Sequence, residues 1–232
     1  RRRHTRSLCD WSSDVCSSDL AEYLVDVDAL VQALGGRVVL VGHSMGGTIA
    51  SLYAGIRPEA VAGLVILDGL GLPDGLSGTM ERWRAHLDGH RSLRPPRTLG
   101  SVEEAMQRIL ALHPMLDERH ARLLAERGTR PVEGGVAWST DPRHRLRMAV
   151  PYRQDQHAKL LSEVRCPVLL VWPETPAFAE EDIRRLTSLL PMARQLVVPN
   201  TTHALHMQAP VSVAEAIRAL LQVLTDSSKG AI

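Results

Sequence analysis

Arg37-Val38-Val39-Leu40-Val41-Gly42-His43-Ser44-Met45-Gly46-Gly47-Thr48-Ile49-Ala50 decides how the rest of this chain is read. Val38 to Val41 is a short apolar run, and Gly42-His43-Ser44-Met45-Gly46 follows it directly. A helix-compatible run with small residues comes next. Strand, tight G-x-S-x-G turn and helix together make the setting of a nucleophile elbow. A serine in such a turn holds unfavourable backbone angles, so its neighbours must be small. Gly42 and Gly46 are expected to let strand and helix approach without Cβ clashes. The turn lifts the Ser44 hydroxyl above the sheet at the start of a helix, where free N–H groups favour developing negative charge. The Met45 N–H is the expected oxyanion donor. Taken alone, the pattern also fits a glycine-rich turn of another α/β protein. A later acid and histidine, in that order, separate the two readings.

The chain around this motif has 232 residues, 44% hydrophobic and 23% charged, enough for one globular domain with a sizeable core. Its 27 basic and 26 acidic residues leave a formal net charge of +1, so no nucleic-acid or membrane partner is expected. No apolar run reaches membrane-spanning length, and a cytoplasmic location is expected. The cysteines Cys9, Cys16 and Cys166 show neither zinc spacing nor a disulfide framework. Cys166 reads as a buried small residue.

Residues 1–20 stand apart. Arg1 to Ser7 is basic, and Leu8 to Leu20 is a Ser/Asp/Cys stretch without periodicity. Asp10, Asp14 and Asp19 oppose a transit peptide, and no apolar core supports a secretory signal. Cys9 to Leu20 resembles the translation of a sequencing-library adapter, and 1–20 is set aside as a non-native or disordered head. Leu24, Val27, Leu30, Val31 and Leu34 then predict an amphipathic helix over 21–34, closed by Gly35-Gly36. The helix after the elbow is predicted to stop near Ile56, before Arg57-Pro58. Val61 to Leu67 reads as a parallel strand buried on both faces, ending at Asp68-Gly69.

Residues 71–164 change character, rich in Arg, His, Glu and Pro and without a buried-strand signal. Helices are predicted at 80–87, 102–112 and 117–127. This stretch reads as a helical lid inserted between two sheet strands, since long connections in compact domains are usually functional; a separate domain or a floppy insertion is the other reading. The sheet resumes at 167–172, a helix covers 180–190, and 193–198 is the last strand. A loop, Thr201 to His206, leads into a final helix through Leu224, and 226–232 is expected to be a frayed tail. The core is thus 21–70 with 165–225.

Two stretches, together with the helical insert after Val61–Asp68, carry a resemblance. Gly42-His43-Ser44-Met45-Gly46-Gly47, and Val198-Pro199-Asn200-Thr201-Thr202-His203-Ala204-Leu205-His206-Met207-Gln208-Ala209-Pro210, resemble the α/β-hydrolase superfamily. Leu123 to Arg130 and Trp138 to Arg143 resemble segments of its serine hydrolase-like group. The resemblance covers residues 21 to about 224 and implies an α/β-hydrolase fold, here a partial, mostly parallel sheet without the N-terminal strands. It also implies that His203, in the loop after the last strand, is the base, taking the Ser44 proton and returning it to the leaving group. His43 is expected to support the elbow, and His206 to pack or hydrogen-bond in its loop.

The acid stays open. Many members place an Asp after the strand written here as 168–172, where this chain has Pro173-Glu174-Thr175-Pro176. Asp68, at the end of Val61–Leu67, is one substitute, and Glu174 is another; Asp182, inside a helix, is more remote. The resemblance also implies that the loop supplying a second oxyanion donor lies upstream of the elements present. The chain as written is therefore expected to be a truncated, poorly folding fragment of weak or no activity, with an unpaired apolar edge at Val38–Val41. The implied activity is a serine hydrolase cleaving a small or medium ester or other acyl substrate through an acyl-enzyme, with no metal and no organic cofactor. Two alternatives remain, a non-catalytic binding protein of the same fold and a carbon–carbon bond hydrolase. The substrate and the oligomeric state are not legible.

Overall fold

A computed structural model describes residues 20–71, 78–146, 149–150, 152–176, 179–190 and 192–229. The head is thus outside the described residues except for Leu20. That residue belongs to the folded core: it starts helix α1 (Leu20–Leu34) and is buried beside Ile49, Leu52 and Tyr152. The boundary placed after residue 20 therefore moves back by one.

Four parallel strands form the sheet: β1 (Val38–His43), β2 (Val61–Leu67), β5 (Val168–Pro173) and β6 (Arg194–Val198), in the order β1-β2-β5-β6. Helix α2 (Met45–Ile56) returns the chain from β1 to β2, and α7 (Glu180–Thr187) returns it from β5 to β6. Among the described residues β1 has a sheet neighbour on one side only, and Val41 is exposed.

The continuous apolar runs of β2 and β5 follow from cover on both faces. Leu64 and Ile66 point to one side, where Val31, Tyr53, Ala54, Leu161 and Leu186 pack against them. Val65 and Leu67 point to the other, against Leu205 of α8 (Leu205–Gln208) and Val213 and Leu220 of α9 (Pro210–Lys229). Removing one such buried leucine side chain costs about 2–5 kcal/mol. Helix α9 continues to Lys229, through residues expected to fray, because Asp226-Ser227-Ser228 carries no breaker before Gly230.

Between β2 and β5 lie α3 (Thr79–Arg91), α4 (Val102–Leu112), α5 (Glu118–Gly128), a hairpin of β3 (Thr129–Val132) and β4 (Gly135–Trp138), and α6 (Gln154–Leu161). Ser101 caps α4 by accepting from the Glu104 N–H, and Asp117 caps α5 by accepting from the His120 N–H. The insert has its own apolar cluster of Leu99, Met106, Ile109, Leu116, Ala121 and Ala125, onto which Met207 of α8 packs. The hairpin was not expected. Its strands are four residues each, carry Pro131 and are mostly half-buried or exposed, so they show no period-two pattern. Helix α6 lies within 71–164 yet packs on α2, in the helical layer against the sheet.

Candidate active site

The elbow is strained where the motif requires it. Ser44 has φ 56° and ψ −128°, an unfavourable region for any residue with a Cβ. The Ser44 N–H donates to Leu67 O at 3.0 Å, and its carbonyl accepts from Gly47 N–H at 2.9 Å. Neighbouring backbone fixes which residues must lack a side chain. A Cβ on Gly42 would lie 2.3 Å from Gly46 O, and one on Gly69 would lie 2.1 Å from Ser44 O. The expectation for Gly46 does not hold, since a Cβ there meets nothing within 4 Å. The close approach runs through Gly42 and Gly69 instead. The sequence shows Gly69 only as a residue after a strand, because its clash partner belongs to the neighbouring strand's turn.

Sheet order then selects the carboxylate. β1 and β2 are neighbours with His43 opposite Leu67, so the residues just past each strand, Ser44 and Asp68, emerge side by side. Asp68 is fully buried, and its φ of 42° turns the chain out of the strand. His203 comes from the loop after β6. Its Nδ1–H donates to Asp68 Oδ2 at 2.7 Å, and the Ser44 hydroxyl donates to its Nε2 at 2.9 Å. The Asp68 contact assigns the tautomer, leaving the Nε2 lone pair directed at the serine. Met45 opens α2, where an amide has no intrahelical acceptor.

Glu174, the other carboxylate weighed, is exposed and turned elsewhere: its Oε2 accepts from the Asn200 N–H at 3.1 Å, tying the end of β5 to the turn after β6. It makes no bond to His203. Asp182 accepts from Gln154 and Arg185 on the helical layer. Neither joins Ser44.

Two further imidazoles lie beside His203. His43 Nε2–H donates to the His203 carbonyl at 2.7 Å, and its ring centroid lies 4.6 Å from that of His203 and 4.4 Å from that of His206. Burial lowers the His43 pKa, partly opposed by the bond to the His203 carbonyl. Burial, with the neighbouring His43 and His203, takes His206 down to about 4. Both rings are neutral near pH 7.

A buried polar chain that sequence reading missed braces the other side. Tyr152 O–H donates to His157 Nδ1, His157 Nε2–H donates to Ser51 Oγ at 2.9 Å, and Ser51 O–H donates to Thr48 O at 2.8 Å. Thr48 Oγ1 in turn donates to Gly69 O and accepts from the Gly71 N–H, both at 3.1 Å. The loop carrying Asp68 is thereby fixed to α2 and, through α6, to the end of the insert. No spacing rule announces His157, which joins Tyr152, five residues before it, to Ser51, 106 residues before it. Among the described residues no cluster of His, Cys, Asp and Glu suits a metal ion, and no helix is long and apolar enough to cross a membrane.

A family model described as "Alpha/beta hydrolase family" matches residues 3–216, reaching back into the head set apart above. The chain is 28% identical over 223 residues to a serine hydrolase-like protein of Danio rerio, covering 90% of this chain and 68% of that one. It is 25% identical over 213 residues to a serine hydrolase-like protein of Dictyostelium discoideum, covering 83% of this chain and 58% of that one. The chain thus spans about two thirds or less of these relatives' lengths. Among solved structures, a hypothetical protein of Pseudomonas aeruginosa PAO1 superposes with a TM-score of 0.81 at 28% identity, over 92% of this chain and 76% of that one.

Proposed function

The chain belongs to the alpha/beta hydrolase family, close to its serine hydrolase-like group, and from that premise we propose that it is a serine hydrolase cleaving small or medium esters or related acyl substrates through an acyl-enzyme. The observation that carries this reading is the continuous relay Ser44 Oγ–His203 Nε2 at 2.9 Å and His203 Nδ1–Asp68 Oδ2 at 2.7 Å, built on the strained elbow. Ser44 attacks the acyl carbon as His203 takes its proton. The C–O bond to the leaving group breaks as His203 returns that proton to the leaving oxygen. Water then attacks the acyl-serine with His203 again as base, releasing acid and free Ser44. Asp68 holds the imidazole in the tautomer that can accept and offsets the charge that it gains. The Met45 N–H faces the developing oxyanion from the helix start; one such donor is worth about a hundred- to a thousandfold in turnover. Helices α3, α4 and α5 with the β3–β4 hairpin serve as a lid, tied to the His203 loop by the packing of Met207 on the insert's cluster.

The test is a fluorophosphonate probe followed by peptide mapping, with ester turnover alongside. Modification is expected at Ser44 and nowhere else, and it is expected to disappear in Ser44→Ala and in His203→Ala. A folded chain that is not modified at Ser44, or ester turnover that Ser44→Ala leaves unchanged, refutes the reading and favours a binding protein of the same fold.

A further inference from the structure

We infer that His43 is a positioning residue for the base, holding the main chain of His203 over Ser44 through its Nε2–H. The inference rests on the functional reading above and extends it to a residue outside the Ser-His-Asp relay. In that relay His203 is held only by its ring: Nδ1 by Asp68 and Nε2 by Ser44. On either side of it the Thr202 N–H donates to Gln208 Oε1 at 2.7 Å and the Ala204 carbonyl accepts from the Met207 N–H at 2.9 Å, but neither bond holds the His203 carbonyl itself. The 2.7 Å bond from His43 to the His203 carbonyl supplies a third point, on the backbone. His43 is also the last residue of β1 and is bonded covalently to Ser44. One residue thus fixes nucleophile and base to the same strand end, so a shift of β1 carries both together.

Imidazole suits this position for a second reason. The ring of His203 becomes cationic during the reaction, and the His43 ring lies 4.6 Å from it. A permanently charged donor such as lysine at that distance would oppose the imidazolium. The groups around His43 are His203 and His206 in ring contact, with Asp68 and His113 acting through space. Burial keeps His43 neutral while it donates. It therefore offers a strong N–H without a competing charge. His206, half-buried and neutral, lies against the same His43 ring at an interplanar tilt of 52°.

The experiment compares His43→Phe with His43→Gln in the full chain, reading the fluorophosphonate labelling rate of Ser44, kcat and KM for a nitrophenyl ester, and the urea midpoint. Phenylalanine keeps the ring contacts and removes the donor. Glutamine loses the ring but can place its side-chain N–H near the Nε2 position. The expectation is a labelling rate and kcat reduced at least tenfold in His43→Phe with KM little changed, and recovery to within about threefold of the parent in His43→Gln. The opposite ranking, or equal losses that follow the urea midpoint, overturns the proposal in favour of ring packing. Should His43→Phe not fold, ring 15N shifts of His43 in the parent chain decide. A neutral ring protonated on Nε2 is expected, and one protonated on Nδ1 overturns the proposal. If the parent chain itself is not labelled, the hydrolase reading fails and this inference falls with it. If the parent is labelled and His43→Phe matches it, the inference alone fails.

Discussion

Replacing Asp68 by Asn removes one charge and almost no volume, which makes it the sharpest probe of the site. Asp68 is fully buried and lies 2.7 Å from His203 Nδ1. When His203 becomes an imidazolium, its charge centre stands about 4 Å from that of the carboxylate, worth about 4 kcal/mol at an effective dielectric of about 20. Loss of that attraction in the transition state alone slows turnover by about a thousandfold. A second effect adds to the first. The Asn amide can donate to Nδ1, moving the ring proton to Nε2, which then no longer accepts from Ser44. The comparable change in a serine protease costs about ten thousandfold, so Asp68→Asn is expected to lower kcat/KM by about a thousand- to ten-thousandfold. Glu174→Gln keeps an oxygen for the Asn200 N–H and is expected to stay within about twofold of the parent, since that bond is exposed. The assay is kcat/KM on a nitrophenyl ester, with circular dichroism to verify folding. Asp68→Asn within tenfold of the parent, or a Glu174→Gln loss as large as that of Asp68→Asn, would refute the reasoning and transfer the role to another group.

Two other perturbations have defined outcomes. Gly69→Ala places a methyl group 2.1 Å from Ser44 O, where backbone must move, whereas Gly46→Ala meets nothing within 4 Å; overpacking of about 1–3 kcal/mol or more is expected to lower Tm by several degrees in the first and hardly at all in the second, and equal melting temperatures would contradict the elbow geometry. Burial holds His157 at about 4, below the ordinary imidazole value of 6.5. The unfolded chain therefore binds this proton first as pH falls, and the stability that His157 contributes is complete above about pH 6.5 and is lost progressively down to about pH 4. That loss amounts to about 3 kcal/mol from this group; urea midpoints at pH 7 and pH 4.5 read it, and a His157→Gln variant with the same pH dependence as the parent would refute the assignment.

The elbow was legible because its sterics are local. A strand, a serine flanked by small residues and a helix leave few ways to fold, and the final His203 loop carries comparable local constraint. The choice between Asp68 and Glu174 was not legible, because it depends on which strand lies beside β1, and strand order is a property of the whole sheet. Once β2 is known to be that neighbour, Asp68 follows from the register of His43 with Leu67. Gly46 and Gly69 show the same limit: the first stands in the motif with open space around it, and the second stands outside the motif in contact with Ser44. The β3–β4 hairpin escaped because four-residue strands bearing a proline carry too little pattern to register. His43 reaches the His203 carbonyl across 160 residues and His157 reaches Ser51 across 106, separations at which one sequence offers no signal.

The distribution of the relay along the chain bears on how the site comes into being. Ser44 and Asp68 stand just past the two strands of one compact β-α-β unit, β1-α2-β2, and can meet as soon as that unit forms. His203 is 135 residues beyond Asp68, on the far side of the insert. Closing a span roughly five times longer costs about 1.5 kcal/mol more in chain entropy, and contacts of such separation are slow to form. On that ground Ser44 and Asp68 are expected to come together early, and His203 to dock among the last native contacts. Recovery of turnover during refolding would then mark the final closure of the molecule, lagging the return of helix and strand signals.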